Sequence, residues 1–246
     1  MGHNVILEKS NVAGIVADLI SDGHLQIRKI DDKLKYNYIG FFSEDRKQLE
    51  YFNKRIYRIF GIRGTIREWG FRKNGRSKAC IVSNSNVVKI LSKIGVPHGD
   101  KVSSQFKIPI WIKSGDREIQ SSFIRRMMNC EGSIGYDKNS KRWEIRITMH
   151  KLADLENNGR KFLDDIRDIL KNFEIETTRV FVNRKYTRPK DNKVVLSLTF
   201  KILRKNSILN YSKFIGFDSE YKKERLQKAI QWAINGSGSK ELKPLA

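Results

Sequence analysis

Cysteine, proline and histidine are scarce in this chain, and acidic residues are outnumbered. It has two cysteines, four prolines and four histidines in 246 residues. Cys80 and Cys130 are far apart with no CxxC pair, which excludes a disulfide framework and a cysteine zinc site. His3, His24, His98 and His150 show no metal-ligand spacing. No apolar run approaches the roughly 20 residues of a membrane span. The most apolar early stretch, Val12 to Ile20, is broken by Asp18 and has no cleavage site after it, so neither a secretion signal nor a membrane segment is read. The expectation is a soluble intracellular protein, in the cytoplasm of a prokaryote or in an organelle.

What the chain does have is positive charge: 49 Lys and Arg against 27 Asp and Glu, a formal net charge of +22. That balance disfavours a small-molecule metabolic enzyme and points to a phosphate-rich partner. A disordered basic tail is excluded, because 39% of the residues are hydrophobic and 10% aromatic, enough to bury a core. The length suits one large domain or two of roughly 120 residues.

The sequence is written twice. Asn11 to Leu25 (NVAGIVADLISDGHL) and Ser122 to Ile134 (SFIRRMMNCEGSI) are apolar helix patterns that run into an acidic residue and a glycine, Asp22-Gly23 and Glu131-Gly132. Ile59 to Ile62 then corresponds to Asn172 to Ile175, and Gly95 to Lys101 (GVPHGDK) to Gly216 to Lys222 (GFDSEYK). The offset drifts slowly, as it does between copies that differ by loop insertions. Each helix is expected to stop at its acid-glycine pair, since glycine takes the left-handed conformation that ends helices. Strand-like runs follow over Leu25 to Phe42 and Ser133 to Met149. In the latter, Trp143, Ile145, Ile147 and Met149 alternate with Arg142, Glu144, Arg146 and Thr148. Amphipathic helices are read over Asp45 to Phe60 and Arg160 to Phe173. Hairpins follow with turns at Asn74-Gly75 and at Pro189 to Asn192, and two shorter helices close each copy. The fold class is α+β, tandem αββαββα repeats about a pseudo-twofold axis. The boundaries read 1–114 for the first half, 115–238 for the second and 239–246 for a flexible tail, with Lys107 to Gln120 as the connection.

A carboxylate at a helix C-terminus is mildly unfavourable, because the helix dipole already places negative charge there. The same cost appears in both copies. If the two helices pair about the axis, Asp22 and Glu131 converge and repel, unless a divalent cation lies between them. Hard oxygen ligands without His or Cys favour Mg²⁺. Two carboxylates, a metal and a basic chain together point to phosphodiester hydrolysis.

On these residues the chain resembles the LAGLIDADG homing endonucleases in their single-chain, two-motif form, over about Asn11 to Asn235. Ile15 to Gly23 (IVADLISDG) and Ile124 to Gly132 (IRRMMNCEG) are the two motifs. The resemblance implies two four-stranded sheets forming a saddle over the DNA major groove, with the motif helices at the centre. It implies Asp22 and Glu131 as ligands of catalytic Mg²⁺, one acid per scissile strand, with the carbonyls of Ser21 and Cys130 as secondary ligands. Mn²⁺ or Ca²⁺ could substitute in binding. Lys101, and Lys222 or its neighbour Lys223, would lie near the hydrated metals. Glu44 or Asp45 in the first half and His150 in the second are candidates for contact with the surrounding water. Ser43 to Asp45 reads equally as an ordinary helix start. The sequence departs from the family at Arg126, where glycine is usual, and at Asp18, where an apolar residue is usual; an Asp18–Arg126 pair across the helices would reconcile them.

Alternation along the strands assigns Gln26, Arg28, Tyr36 and Tyr38 of the first half, and Arg142, Arg146 and Thr148 of the second, to the DNA face. Arg67, Lys73, Lys78, Asn183, Lys185, Ser197 and Thr199 are further candidates. The basic run Phe181 to Lys193 suits phosphate contact. Gly70 to Ser77 (GFRKNGRS) nearly matches a phosphate-binding P-loop, but Arg76 replaces its lysine and the segment lies on a hairpin.

The implied function is a monomeric, Mg²⁺-dependent, site-specific endonuclease that cuts a long asymmetric DNA target and leaves 3′ overhangs. The alternatives are a maturase that binds its host intron RNA and a DNA-binding protein that no longer cuts. A start at Met1-Gly2 and an end that is not His-Asn read as a free-standing, intron-encoded protein rather than an excised intein.

Overall fold

The computed structural model describes residues 2–30, 33–69 and 77–235, without the side chains of 2–8, 29–30 and 34. Lys73, the Asn74-Gly75 turn, nearly all of the P-loop-like stretch and the tail 239–246 lie outside the described residues.

The first repeat runs α1 (Gly2–Ile20), β1 (Gly23–Ile30), β2 (Lys33–Ser43), α2 (Arg46–Phe60), β3 (Thr65–Glu68), β4 (Lys78–Val82) and α3 (Ser85–Lys93). After a four-residue turn of helix, α4 (Ile110–Lys113), the order recurs as α5 (Arg117–Cys130), β5 (Gly132–Asp137), β6 (Arg142–Leu152), α6 (Glu156–Lys171), β7 (Phe181–Arg188), β8 (Lys193–Ile202) and α7 (Lys205–Phe214), and α8 (Glu220–Asn235) ends it. The strands form two antiparallel sheets of equivalent order, β1-β2-β4-β3 and β5-β6-β8-β7.

Local sequence explains most of these elements. Leu49, Phe52 and Ile56 fall on one face of α2 and are buried, while Glu50, Lys54 and Arg58 are exposed. Asp45 caps that helix by accepting from the Lys47 N–H at 2.9 Å, and Gly61, at φ 68°, ends it in the left-handed region. The equivalence of Gly61 with Glu174 extends to the backbone, since Glu174 stands at φ 57°; Gly95 and Gly216 likewise share positive φ, at 104° and 67°.

The copies differ more than their sequences imply. Only the second closes with two full helices. In the first, Pro97, Gly99 and Pro109 interrupt the chain after α3 and leave an irregular connection. The end of the expected connection is already helical, because Asp116 accepts from the Ile119 N–H at 2.9 Å and starts α5. α6 begins four residues earlier than the sequence pattern indicates, at Glu156.

α1 and α5 pack against each other, and Ala13, Ile15, Val16, Ala17 and Leu19 of the first and Phe123, Ile124, Met127 and Met128 of the second are all buried in one hydrophobic core shared by the repeats. Among the described residues, no helix is long and apolar enough to cross a membrane.

Candidate active site

The helix pair carries a buried ionic network. Asp18 has no exposed surface and binds Arg126 across the pair, Nε to Oδ1 at 2.7 Å, and Arg55 of α2 through its other oxygen. Arg126 also donates to Gln48 and to Asp218, each at 2.9 Å. Room for both guanidiniums comes from Gly14, where a Cβ would meet Arg55 Nη1 at 2.2 Å and Arg126 Cγ at 3.3 Å. The glycine that is absent at position 126 is thus offset by one on the opposite helix. The other side of the axis is less polar: Ser21 Oγ donates to Ala17 O at 2.8 Å and lies 3.1 Å from Met127 Sδ.

One turn further on, α1 and α5 end at Asp22 and Glu131. Burial, and then repulsion from Asp22, push the Glu131 carboxyl up to about 7. Asp22 is exposed on one side, but the protein packed around its carboxyl raises its pKa as well, against the pull of Lys101. The glycines that follow do not adopt the left-handed conformation expected of them. They are needed for closeness: a Cβ on Gly23 would lie 2.6 Å from Leu19 Cα, and one on Gly132 would lie 2.4 Å from Met128 O.

Two lysines close the helix ends. Lys101 Nζ donates to the carbonyls of Leu19 (3.2 Å), Ser21 and Gly23 (2.7 Å). Lys222 Nζ donates to those of Met128 (3.1 Å), Asn129 (2.5 Å) and Gly132 (2.6 Å). Each ammonium spends its three donors on two carbonyls at the helix end and one at the start of the following strand, and offsets the negative dipole end to which the acids add. Burial lowers the pKa of both lysines while the acids pull it back up. Lys223 instead pairs with Glu220 on the surface at 2.9 Å, so it is Lys222 that the fold brings to the helix end. The Ser21 carbonyl already accepts from Lys101.

Glu44 and His150 occupy matching places. The N–H of Phe42 donates to Asp22 O at 3.3 Å and that of Thr148 to Glu131 O at 3.4 Å; Glu44 and His150 each stand two residues beyond. Asp45 is the α2 cap.

On the polar faces of the sheets, Gln26 pairs with Tyr38, and Arg28 with Lys35. Tyr36 does not join them. A register shift after Gln26 places it opposite Ile27 and against the core. Arg67 shares the polar face with Phe42, but Lys78 lies on the opposite face, in step with Cys80, and 3.9 Å from Glu68. In the second sheet Arg142, Arg146 and Thr148 follow the expected alternation. Ser197 and Thr199 share that face but are buried, bonded to His150 (3.0 Å) and Thr148 (2.9 Å). A second register shift, at Asn183, turns Lys185 to the face of Leu196 and brings Arg184 opposite Ser197. The alternation from sequence therefore selects Lys185 and misses Arg184, whose guanidinium lies 5.6 Å from the Tyr186 ring centroid. Beside Lys222 a cleft of about 480 Å³ is lined by Ser133, Asp137, Glu144, Arg146, Lys201 and Arg225.

Residues 118–216 match the family model of a LAGLIDADG-like domain. A tRNA-splicing ligase RtcB of Methanopyrus kandleri is 28% identical over 185 residues, 71% of this chain but 18% of its own length, so the chain spans about a fifth of that curated relative. Among solved structures, the homing endonuclease I-DmoI, in complex with a nicked target DNA and in the presence of Mn, superposes with a TM-score of 0.54 at 13% identity, over 85% of this chain and 96% of its own. The meganuclease I-SmaMI, bound to uncleaveable DNA, gives 0.51 at 12% identity, over 91% and 88%. The second repeat thus matches a LAGLIDADG-like domain, and the chain as a whole shares the two-repeat fold of the homing endonuclease I-DmoI and the meganuclease I-SmaMI.

Proposed function

We propose that this protein is a site-specific DNA endonuclease that makes a double-strand break in a long asymmetric target, leaving 3′ overhangs, with Asp22 and Glu131 as its essential acids. The observation that carries this reading is the pair itself: two carboxylates at the ends of packed helices, Glu131 raised by burial and by Asp22, each beside a lysine that closes the helix end, in a chain with 22 surplus cations.

The donor chemistry fits a hard divalent cation, Mg²⁺ being the proposed one. The groups that converge are carboxylate and carbonyl oxygens, and a cation offsets both the burial and the repulsion from Asp22 that raise Glu131. Among the described residues no group of three or more His, Cys, Asp or Glu assembles, so carbonyl oxygens, DNA phosphate and water would complete the ligand set. When bound, the cation activates water for attack on the phosphodiester and stabilises charge on the leaving 3′ oxygen. The chain's own residues do the rest. Asp22 and Glu131 hold the cation, one for each strand. Lys101 and Lys222 keep the helix ends in register and place positive charge where the phosphorane charge develops. Glu44 and His150 stand where they can orient water, and the polar sheet faces, with Arg28, Arg67, Arg146 and Arg184, hold the duplex. Because those two faces carry different side chains, the target is asymmetric. The proposed working form is a monomer whose halves divide within residues 107–120, and the proposed partner is double-stranded DNA.

A cleavage selection from a randomised or genomic DNA library in Mg²⁺ tests this. Recovery of one long site with staggered ends is the expected result; no cut product at any site, with or without Mn²⁺, would sink the reading. Tight binding of intron RNA without DNA cleavage would favour the splicing role instead.

A further inference from the structure

Lys101 and Lys222 reach the same kind of target from different platforms. Lys222 sits within the sixteen-residue helix α8 of its own repeat. Lys101 lies in the irregular segment after α3, and that segment is fastened by the second repeat. Lys151, at the end of β6, is fully buried; its Nζ donates to the carbonyls of Lys101 (2.8 Å) and Ser104 (2.6 Å) and lies 3.8 Å from the Phe106 ring centroid. The Leu152 N–H donates to Val102 O at 3.1 Å. The Asn158 amide donates to Phe106 O at 3.1 Å and accepts from the Phe106 N–H at 3.3 Å. From the β7–β8 hairpin, Arg188 donates to Asp100 (3.0 Å) and Ser103 (2.9 Å), and Lys190 donates to Asp100 (2.7 Å).

A buried ammonium is costly to keep, and Lys151 persists because its partners are backbone carbonyls of this one segment. Gly159 of α6 leaves the space for it, since a Cβ there would lie 2.8 Å from Lys151 Cγ. On the other side, the ammonium of Lys101 is already committed to the end of α1. The segment is therefore a bridge, with the second sheet at one end and the first motif helix at the other.

We propose that Lys151 and Arg188 are positioning residues for Lys101, so that the second repeat assembles the first repeat's half of the site. The consequence for catalysis rests on the endonuclease reading. In that reading, the hairpin that follows the DNA backbone is bonded through Asp100 to the segment bearing Lys101, and target contact by the second sheet is felt at the opposite acid, Asp22.

Brief acetylation of the full-length protein with acetic anhydride at fixed pH, with mass-spectrometric readout at Lys101 and Lys222, tests the proposal without DNA. In Lys151→Met, Arg188→Gln and Asp100→Asn, Lys101 is expected to become about tenfold more reactive through local opening, while Lys222 changes by less than about twofold. Lys222 is the internal control, because general loosening of the fold exposes both. Arg188→Gln removes a guanidinium that bonds Asp100, Ser103 and Asp191 near the surface, and Asp100→Asn removes the charge while keeping an oxygen to accept from the Val102 N–H, so both carry the test even where Lys151→Met fails to fold. A rise at Lys101 alone in either supports the proposal. Both lysines rising together, or Lys101 unmoved in both variants, overturns it. A protein that cuts no DNA yet shows selective labelling would sink the endonuclease reading and leave the positioning role standing.

Discussion

The two repeats share a backbone and differ in what they build on it. In the first, the lysine that closes the motif helix stands on an irregular segment; in the second it stands on α8. On the first sheet's polar face Phe42 and Trp69 meet edge to face at 5.3 Å, with His24 and Tyr38 further along. On the second, hydroxyls and cations dominate: Thr148 with Thr199, His150 with Ser197, Arg184 beside Tyr186. The helix pair is also unequal, since the network of Asp18 and Arg126 lies on one side of the axis only. Duplication fixed where the acids converge, and divergence made each half depend on the other.

The largest test of that dependence is Arg126→Ala, which gives α5 the residue that Ala17 supplies to α1. Asp18, buried and left with Arg55 as its one cationic partner, is expected to cost about 3–5 kcal/mol of stability in denaturant titration, with part restored in Asp18→Ala/Arg126→Ala. A loss under about 1 kcal/mol would show that the network does not hold the halves together.

Lys151 stands where the first repeat has Asp45, the α2 cap, and its effect depends on pH. Burial lowers its pKa from 10.5 to about 8. Between those values the unfolded chain keeps the proton that the folded one has released, so stability rises with pH across that window and the contribution is flat below it. The difference between wild type and Lys151→Met, followed from pH 7 to 10.5, is expected to widen by at most about 3 kcal/mol. A parallel pair of curves would contradict the assignment.

The sheet faces are compared by alanine at adjacent positions. Arg184→Ala is expected to weaken DNA binding by about tenfold and to lower the salt dependence by roughly one phosphate, while Lys185→Ala, on the other face, leaves both nearly unchanged. Equal effects would put the register shift at Asn183 in the wrong place.

The smallest expected effect concerns one backbone position seen in both copies. Gly61→Ala should destabilise by about 1 kcal/mol, because φ is 68° there, and Glu174→Gly should stabilise by a similar amount. Glycine helping in neither place would mean that the two turns are not equivalent.

These comparisons also mark how far the sequence could be read. Both motif helices, the amphipathic helices and the strand pairs were legible because their apolar periods are regular, and the Asp18–Arg126 pair was legible because two misplaced charges of opposite sign stood in facing motifs. The single extra residues that turn Tyr36 inward and Arg184 outward leave no mark in composition, so alternation failed just beyond each. The glycines after the acids were found for a mistaken reason: nothing in the sequence separates a glycine needed for handedness from one needed for a close helix end. The hold of Lys151 and Arg188 on the Lys101 segment was illegible, because it joins residues distant in sequence through backbone carbonyls, which carry no residue identity.

The most direct test of the central claim, that each repeat supplies one acid to a shared site, is cleavage of the selected target by Asp22→Asn and Glu131→Gln, measured separately alongside binding of the same DNA. Each substitution is expected to lower double-strand cleavage by on the order of 10³-fold while binding persists. Undiminished double-strand cleavage by either variant would contradict the account.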